Sequence, residues 1–117
     1  MATKALEAVV RHVGSVAVID LRGEIDSFGE EILNQAYHSA EAQNPKSVLL
    51  NFSGVDYINS TGIALIVGLL ALARKAGRQL LTSGLSSHYV EIFQITRLAD
   101  FMNIYPDEAA ALAQARV

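Results

Sequence analysis

Residues Leu6 to His12 alternate loosely between apolar and polar, and Val13-Gly14 behind them is a turn signal. Ser15 to Arg22 is rich in β-branched residues and reads as a strand that Gly23 closes, so the chain opens with an antiparallel hairpin. The period then lengthens. Ser27 with Glu30 forms a capping-box pattern, Glu30-Glu31 puts negative charge at a helix start, and Ile32, Leu33, Ala36, Tyr37 and Ala40 recur at helical spacing until Asn44-Pro45. Ser47 to Phe52 is a short apolar run of the buried-strand kind, and Ser53 to Ser60 reads as a loop. From Thr61 the pattern predicts a helix ending at Gly77, with Arg74 and Lys75 in its last turn. A strand over Gln79 to Ser83, a helix over Ser87 to Ile95, a strand over Phe101 to Tyr105 and an alanine-rich helix opened by Pro106 complete the series.

The predicted order is ββαβαβαβα. Alternating strands and helices imply an α/β fold with a mixed, mostly parallel sheet of four to five strands, about four helices, and an antiparallel strand contributed by the opening hairpin. With 117 residues, 51% of them hydrophobic and 18% charged, and no internal repeat or linker, residues 1–117 read as a single domain with its own core.

Charge and composition narrow the function. A net charge of −3 with scattered lysines and arginines lacks the basic face a duplex-DNA binder needs. The chain has no cysteine, which removes disulfides, thiolate metal sites and a cysteine nucleophile. The N-terminus has no apolar signal-peptide core, and the longest apolar run, Ile63 to Ala73, is shorter than the roughly 20 residues that span a bilayer. These features predict a cytoplasmic protein.

Chemistry-bearing residues are sparse. His12, His38 and His88 lie too far apart for ligand spacing, and the sequence has no phosphate-binding glycine loop, dinucleotide fingerprint or nucleophile elbow. Glu30-Glu31 is explained by the helix dipole. Asp20 and Arg22 read as edge or solvent positions, and Arg97, Asp100 and Asn103 as flanks of the last strand. Tyr37, Tyr57, Tyr89 and Tyr105 read as packing anchors with wet hydroxyls. No metal, no cofactor and no catalytic set is expected. The exceptional segment is Asp56-Tyr57-Ile58-Asn59-Ser60-Thr61-Gly62, which places an amide and two hydroxyls at the first turn of a nearly all-apolar helix. Either Asn59 or Ser60 caps that helix, or the turn is an anion-tolerant switch site, since a helix N-terminus favours negative charge. A nucleotide-binding nest at Ser60-Thr61-Gly62 is a weaker third reading, because no lysine or arginine stands beside the motif.

This segment resembles the phosphorylation signature of anti-sigma-factor antagonists of the STAS domain family: aromatic, apolar, Asp, Ser, Ser or Thr, Gly, Leu. Leu21-Arg22-Gly23-Glu24-Ile25-Asp26 is similar to the family's strand-to-helix turn, and Phe101 to Ala110 to its closing strand and helix, so the likeness runs from about residue 8 to 114. The resemblance implies a STAS fold and partner switching. The unmodified antagonist binds an anti-sigma factor that is also a serine kinase and so frees a sigma factor; phosphorylation ends binding and a phosphatase restores it. Ser60 matches the acceptor, with Thr61 the lesser candidate, and Asp26, Asp56, Asn59, Ser60, Thr61 and Gly62 map to the partner-binding face. The family commonly carries aspartate where this chain has Asn59. The alternative is a constitutive accessory or scaffold subunit of a lipid-transport or signalling complex, never phosphorylated, with the Ile63 to Ala73 stretch offering a partner face.

Overall fold

The structure is a computed structural model and describes residues 4–115. A five-stranded sheet of order β1-β2-β3-β4-β5 is built from β1 (Glu7–Val13), β2 (Val16–Ile25), β3 (Ser47–Ile58), β4 (Gln79–Ser83) and β5 (Asn103–Tyr105). Only the β1–β2 pair is antiparallel; β2–β3, β3–β4 and β4–β5 are parallel. The helices are α1 (Glu30–Glu41), α2 (Ser60–Lys75), α3 (Ser87–Ile95) and α4 (Glu108–Ala115), with short 3-10 turns at Ser27–Gly29 and Leu98–Asp100. The expected mixed sheet and element order are both present.

Alternation along the strands divides the core into two layers. Ala17, Ile19, Leu21 and Ile25 of β2 and Val48, Leu50 and Phe52 of β3 pack with Leu33, Tyr37, Ile66, Leu69, Ala73 and Phe93 of α1, α2 and α3. The opposite face, Val16, Val18, Leu49 and Leu81, is covered by Ala111 and Leu112 of α4. The second helix is therefore core on one stripe only. Ile66, Leu69, Leu70 and Ala73 are buried, while Val67 and Leu72 lie outside the core at 44% and 42% exposure.

Several boundaries differ from the sequence reading. Ser53 to Ile58 is strand, not loop: β2 continues through Gly23 to Ile25 and supplies ladder partners, with Gly23 paired to Val55, Glu24 to Tyr57 and Ile25 to Ile58. Register shifts between Asp20 and Arg22 and between Gly23 and Glu24 let the longer β3 stay in step. Gly23 does not close its strand; at φ +97° it admits the backbone of Lys4 and Ala5, and Glu24 N donates to the Lys4 carbonyl at 3.0 Å. Ser27 caps no helix, because Asp26 takes that role for the 3-10 turn and α1 follows from Gly29. The first helix ends at Glu41, before the left-handed Asn44. At the other end, Asp107 rather than Pro106 starts α4, its Oδ1 accepting from Ala110 N at 2.9 Å.

Asp20, read as an edge or solvent position, is engaged in a network. Arg11 Nε and Nη2 donate to the two oxygens of Asp20 at 2.7 and 3.1 Å, its remaining donors reach Glu108, and Asn51 Nδ2 donates to Asp20 at 2.8 Å. These hydrogen bonds raise the Arg11 pKa. They hold that of Asp20 below the usual carboxylate range, chiefly through Arg11, against partial desolvation. Two tyrosine hydroxyls expected to be wet are buried. That of Tyr89 accepts the Ile58 amide at 2.8 Å. That of Tyr37 has no hydrogen-bond partner among the described residues; burial and then Glu41 push its pKa up, against a smaller pull from nearby Arg78.

Candidate functional site

The carboxyl ends of β2 and β3 deliver the chain to the 3-10 turn and to α2, and the candidate residues collect there. Asn59, extended at φ −90° and ψ −177°, is the N-cap of α2, and its Oδ1 accepts from Gly62 N at 2.8 Å. This settles the capping question in favour of Asn59. Ser60 and Thr61 occupy the first turn, are exposed, and neither hydroxyl makes a hydrogen bond among the described residues. The amides of Ser60 and Thr61 have no intrahelical partner either, as expected for an N-terminal turn. The turn therefore presents two free hydroxyls in the positive end of a 16-residue helix.

Backbone contacts fix this turn to the sheet. Asn59 N donates to the Ile25 carbonyl at 3.2 Å. Gly62 is buried against the same carbonyl, and a Cβ there would run into its oxygen and stand 2.9 Å from both the Ile25 carbon and Ile58 Cγ2. Ile58, one residue before the cap, is held from the far side by Tyr89 of α3. Asp26 follows directly on Ile25, so it is brought to the same edge, but its carboxylate is committed to Phe28 N at 3.0 Å. Asp56 turns elsewhere. It pairs with Lys4 at 3.4 Å in a shallow cleft shared with Glu7, Arg22 and Gly54, and no hydrogen bond links it to the Ser60 turn among the described residues.

Among the described residues no group of three His, Cys, Asp or Glu side chains could hold a metal, and no helix is long and apolar enough to cross a membrane. The edge offers exposed hydroxyls, helix amides and carboxylates without a general base set against a nucleophile.

A sequence model of the STAS domain family matches residues 7–111, most of the chain. The chain belongs to the STAS domain family. Among its relatives, the anti-sigma-B factor antagonist of Staphylococcus aureus is 27% identical over 86 residues, 74% of this chain and 80% of that protein. Among solved structures, an anti-sigma factor antagonist from Mycobacterium paratuberculosis superposes with a TM-score of 0.79 at 23% identity, over 97% of this chain and 96% of that one. A sulfate transporter family protein from Wolinella succinogenes superposes with a TM-score of 0.78 at 20% identity, over 89% and 87% of the two chains. Similar STAS folds therefore occur in proteins with different names, and the fold by itself does not decide among them.

Phe28 went unremarked in the sequence. It is 90% exposed at the tip of the 3-10 turn. The signal that marks it is an aromatic set in the polar run Asp26-Ser27-Phe28-Gly29-Glu30-Glu31.

Proposed function

We propose that this chain is an anti-sigma-factor antagonist, a single-domain cytoplasmic binding module rather than an enzyme, switched off by phosphorylation of Ser60. One observation carries the reading: Asn59 does the capping, which leaves the exposed Ser60 hydroxyl without a structural task at the positive end of α2. The likeness to the anti-sigma-B factor antagonist supports the partner class. The partner is an anti-sigma factor with serine kinase activity, docked on the edge formed by Asp26, Asn59, Ser60 and Thr61 and seated on the buried Gly62; Asp56, turned toward Lys4, is left out of it. Ser60 Oγ attacks the γ-phosphorus of ATP held by that partner, ADP departs, and the hydroxyl proton is released. A phosphatase hydrolyses the ester and restores the serine.

The switch follows from electrostatics. A phosphoserine brings about −1.5 to −2 charges, which the helix N-terminus tolerates, so the domain stays folded. In the complex the same group faces the partner's anionic nucleotide, and an unpaired interfacial charge costs a few kcal/mol, a loss of affinity of about a hundredfold or more. The competing reading, a constitutive accessory or scaffold subunit, is favoured by one observation, the neutral Asn59 in place of an aspartate.

Intact-mass spectrometry after incubation with magnesium-ATP and the purified anti-sigma kinases of the source organism decides between them. The expected result is one added phosphoryl group on wild type and on Thr61→Ala, none on Ser60→Ala, and much weaker kinase binding by Ser60→Asp. No modification, with equal binding of wild type and Ser60→Asp, would leave the constitutive module standing.

A further inference from the structure

Single exposed apolar side chains are ordinary, but a phenyl ring left almost wholly in water at the tip of a fixed turn is placed to be buried by a partner. Phe28, at 90%, is more exposed than any other large apolar residue described. Its position is not that of a loose loop. Its amide donates to Asp26 Oδ1 at 3.0 Å, and Gly29 N donates to the Asp26 carbonyl at 3.0 Å. Gly29 beneath it is buried so tightly that a Cβ there would lie 2.9 Å from Leu6 Cδ2. The turn is pinned on both sides, and the ring is its outward product.

Phe28 also falls within reach of the Ser60 turn. Three residues before it, the Ile25 carbonyl accepts the Asn59 amide and abuts Gly62. Chain length alone keeps the Phe28 Cα within about 11 Å of the Ile25 Cα. A standard interface covers about 800 Å² a side, a disc of about 16 Å radius, which is wide enough for one partner to reach both. The surroundings carry one sign of charge. From Gly23 to Asn44 the sequence holds Glu24, Asp26, Glu30, Glu31 and Glu41 and no lysine or arginine. Glu30 and Glu31, next to Phe28, are exposed. The neighbouring cations Lys4 and Arg22 are each paired, with Asp56 and Glu7.

Resting on the function proposed above, we infer that Phe28 is the anchor of the partner interface. The anti-sigma kinase presents an apolar pocket that takes the ring, rimmed by lysine or arginine side chains facing Glu30 and Glu31. This divides the interface into two parts. An aromatic plug with acidic flanks supplies affinity and partner choice, while Ser60, directed at the partner's nucleotide, supplies the switch. An aromatic buried in a desolvated pocket can serve as a binding hot spot, and rim charges act chiefly on association rate.

The test uses the purified kinase that phosphorylates Ser60, titrated by calorimetry and by surface-immobilised kinetics with wild type, Phe28→Ala, Phe28→Tyr, Glu30→Gln/Glu31→Gln and Ser60→Asp. Phe28→Ala is expected to weaken binding about tenfold to a hundredfold with a nearly unchanged melting temperature, because the residue, 90% exposed, buries little in the free protein. Phe28→Tyr keeps most of the affinity, and the double glutamine variant lowers the association rate and flattens its salt dependence. Phe28→Ala binding as wild type while Ser60→Asp fails to bind would overturn the anchor and leave the switch intact. A wild-type chain that none of the kinases binds would overturn both. A wild-type dimer in sedimentation that Phe28→Ala dissolves, with kinase affinity unchanged, would assign the ring to a second copy of this chain and refute the inference.

Discussion

Gly62 and Gly68 belong to one helix, yet alanine at the two positions is expected to move stability in opposite directions. In a helix interior alanine is worth about 0.5–1 kcal/mol over glycine, because it has less backbone freedom to lose. At Gly68 an added Cβ meets nothing within 4 Å, so that gain stands alone. At Gly62 the methyl would enter the space of the Ile25 carbonyl and crowd Ile58 Cγ2 at 2.9 Å. The obstacle is backbone in a sheet, which cannot swing aside as a side-chain tip does. Forced overpacking costs about 1–3 kcal/mol. Moving the carbonyl also weakens its bond from Asn59 N, worth about 0.5–1.5 kcal/mol. Set against the propensity gain, Gly62→Ala loses about 1–3 kcal/mol. Urea unfolding followed by circular dichroism reads both variants directly, and for a domain of this size each kcal/mol moves Tm by about 4 °C. A Gly62→Ala protein as stable as wild type or more so would refute the close approach of α2 to the end of β2, and with it the rigid seat of the Ser60 turn.

Tyr89→Phe leaves the buried Ile58 amide without an acceptor and is expected to cost about 1–3 kcal/mol. Tyr37→Phe removes a hydroxyl with no partner among the described residues and is expected to be close to neutral; equal losses in parallel urea titrations would contradict this contrast between the two tyrosines. Asp20→Asn is expected to lose about 1 kcal/mol or less at neutral pH, since the Arg11 pair stays partly open to water. The folded pKa of Asp20 is depressed, so its contribution is full above the unfolded value of about 3.9 and is lost as pH falls through the lower folded value. The stability gap between wild type and Asp20→Asn, measured by urea midpoints from about pH 7 to about pH 2, therefore stays constant down to about pH 4 and narrows below it. A gap independent of pH would show that the ion pair contributes nothing.

What the sequence displayed and what it concealed differ by range. Runs such as Ser47 to Phe52 and caps such as Gly77 are local, and they announced the hairpin and the parallel order, and α2 to within two residues. The second half of β3 was hidden because Ser53-Gly54-Val55-Asp56 reads as polar turn chemistry. Its extended state is imposed by β2, through a register that slips twice and that no local pattern encodes. The same holds for Arg11, which joins Asp20 across the hairpin and Glu108 from the far end of the chain. At the candidate site the motif located the turn, but its choice of cap required coordinates, since asparagine and serine cap almost equally well. Phe28 was invisible for a related reason: an aromatic residue is presumed buried until a structure exposes it.

The neutral Asn59 bears on recognition more than on tolerance of a phosphate. Its Oδ1 satisfies Gly62 N at 2.8 Å, the bond an aspartate would make, so the helix start is built identically without the charge. An aspartate would add about 0.3–1 kcal/mol with the helix dipole, and would then oppose any dianion arriving next door. A carboxylate about 6 Å from a phosphoserine would repel it by roughly 1 kcal/mol even in water-like surroundings. With asparagine the positive end of α2 is left for the phosphate alone, and the modified state is relieved of that repulsion. The same substitution removes a carboxylate that a kinase could use to orient magnesium-ATP or the serine hydroxyl. Under the function proposed above, the physical expectation is thus a phosphorylated form at least as stable as one carrying aspartate, formed by a kinase whose affinity rests on contacts away from residue 59, among which the proposed Phe28 anchor would be one.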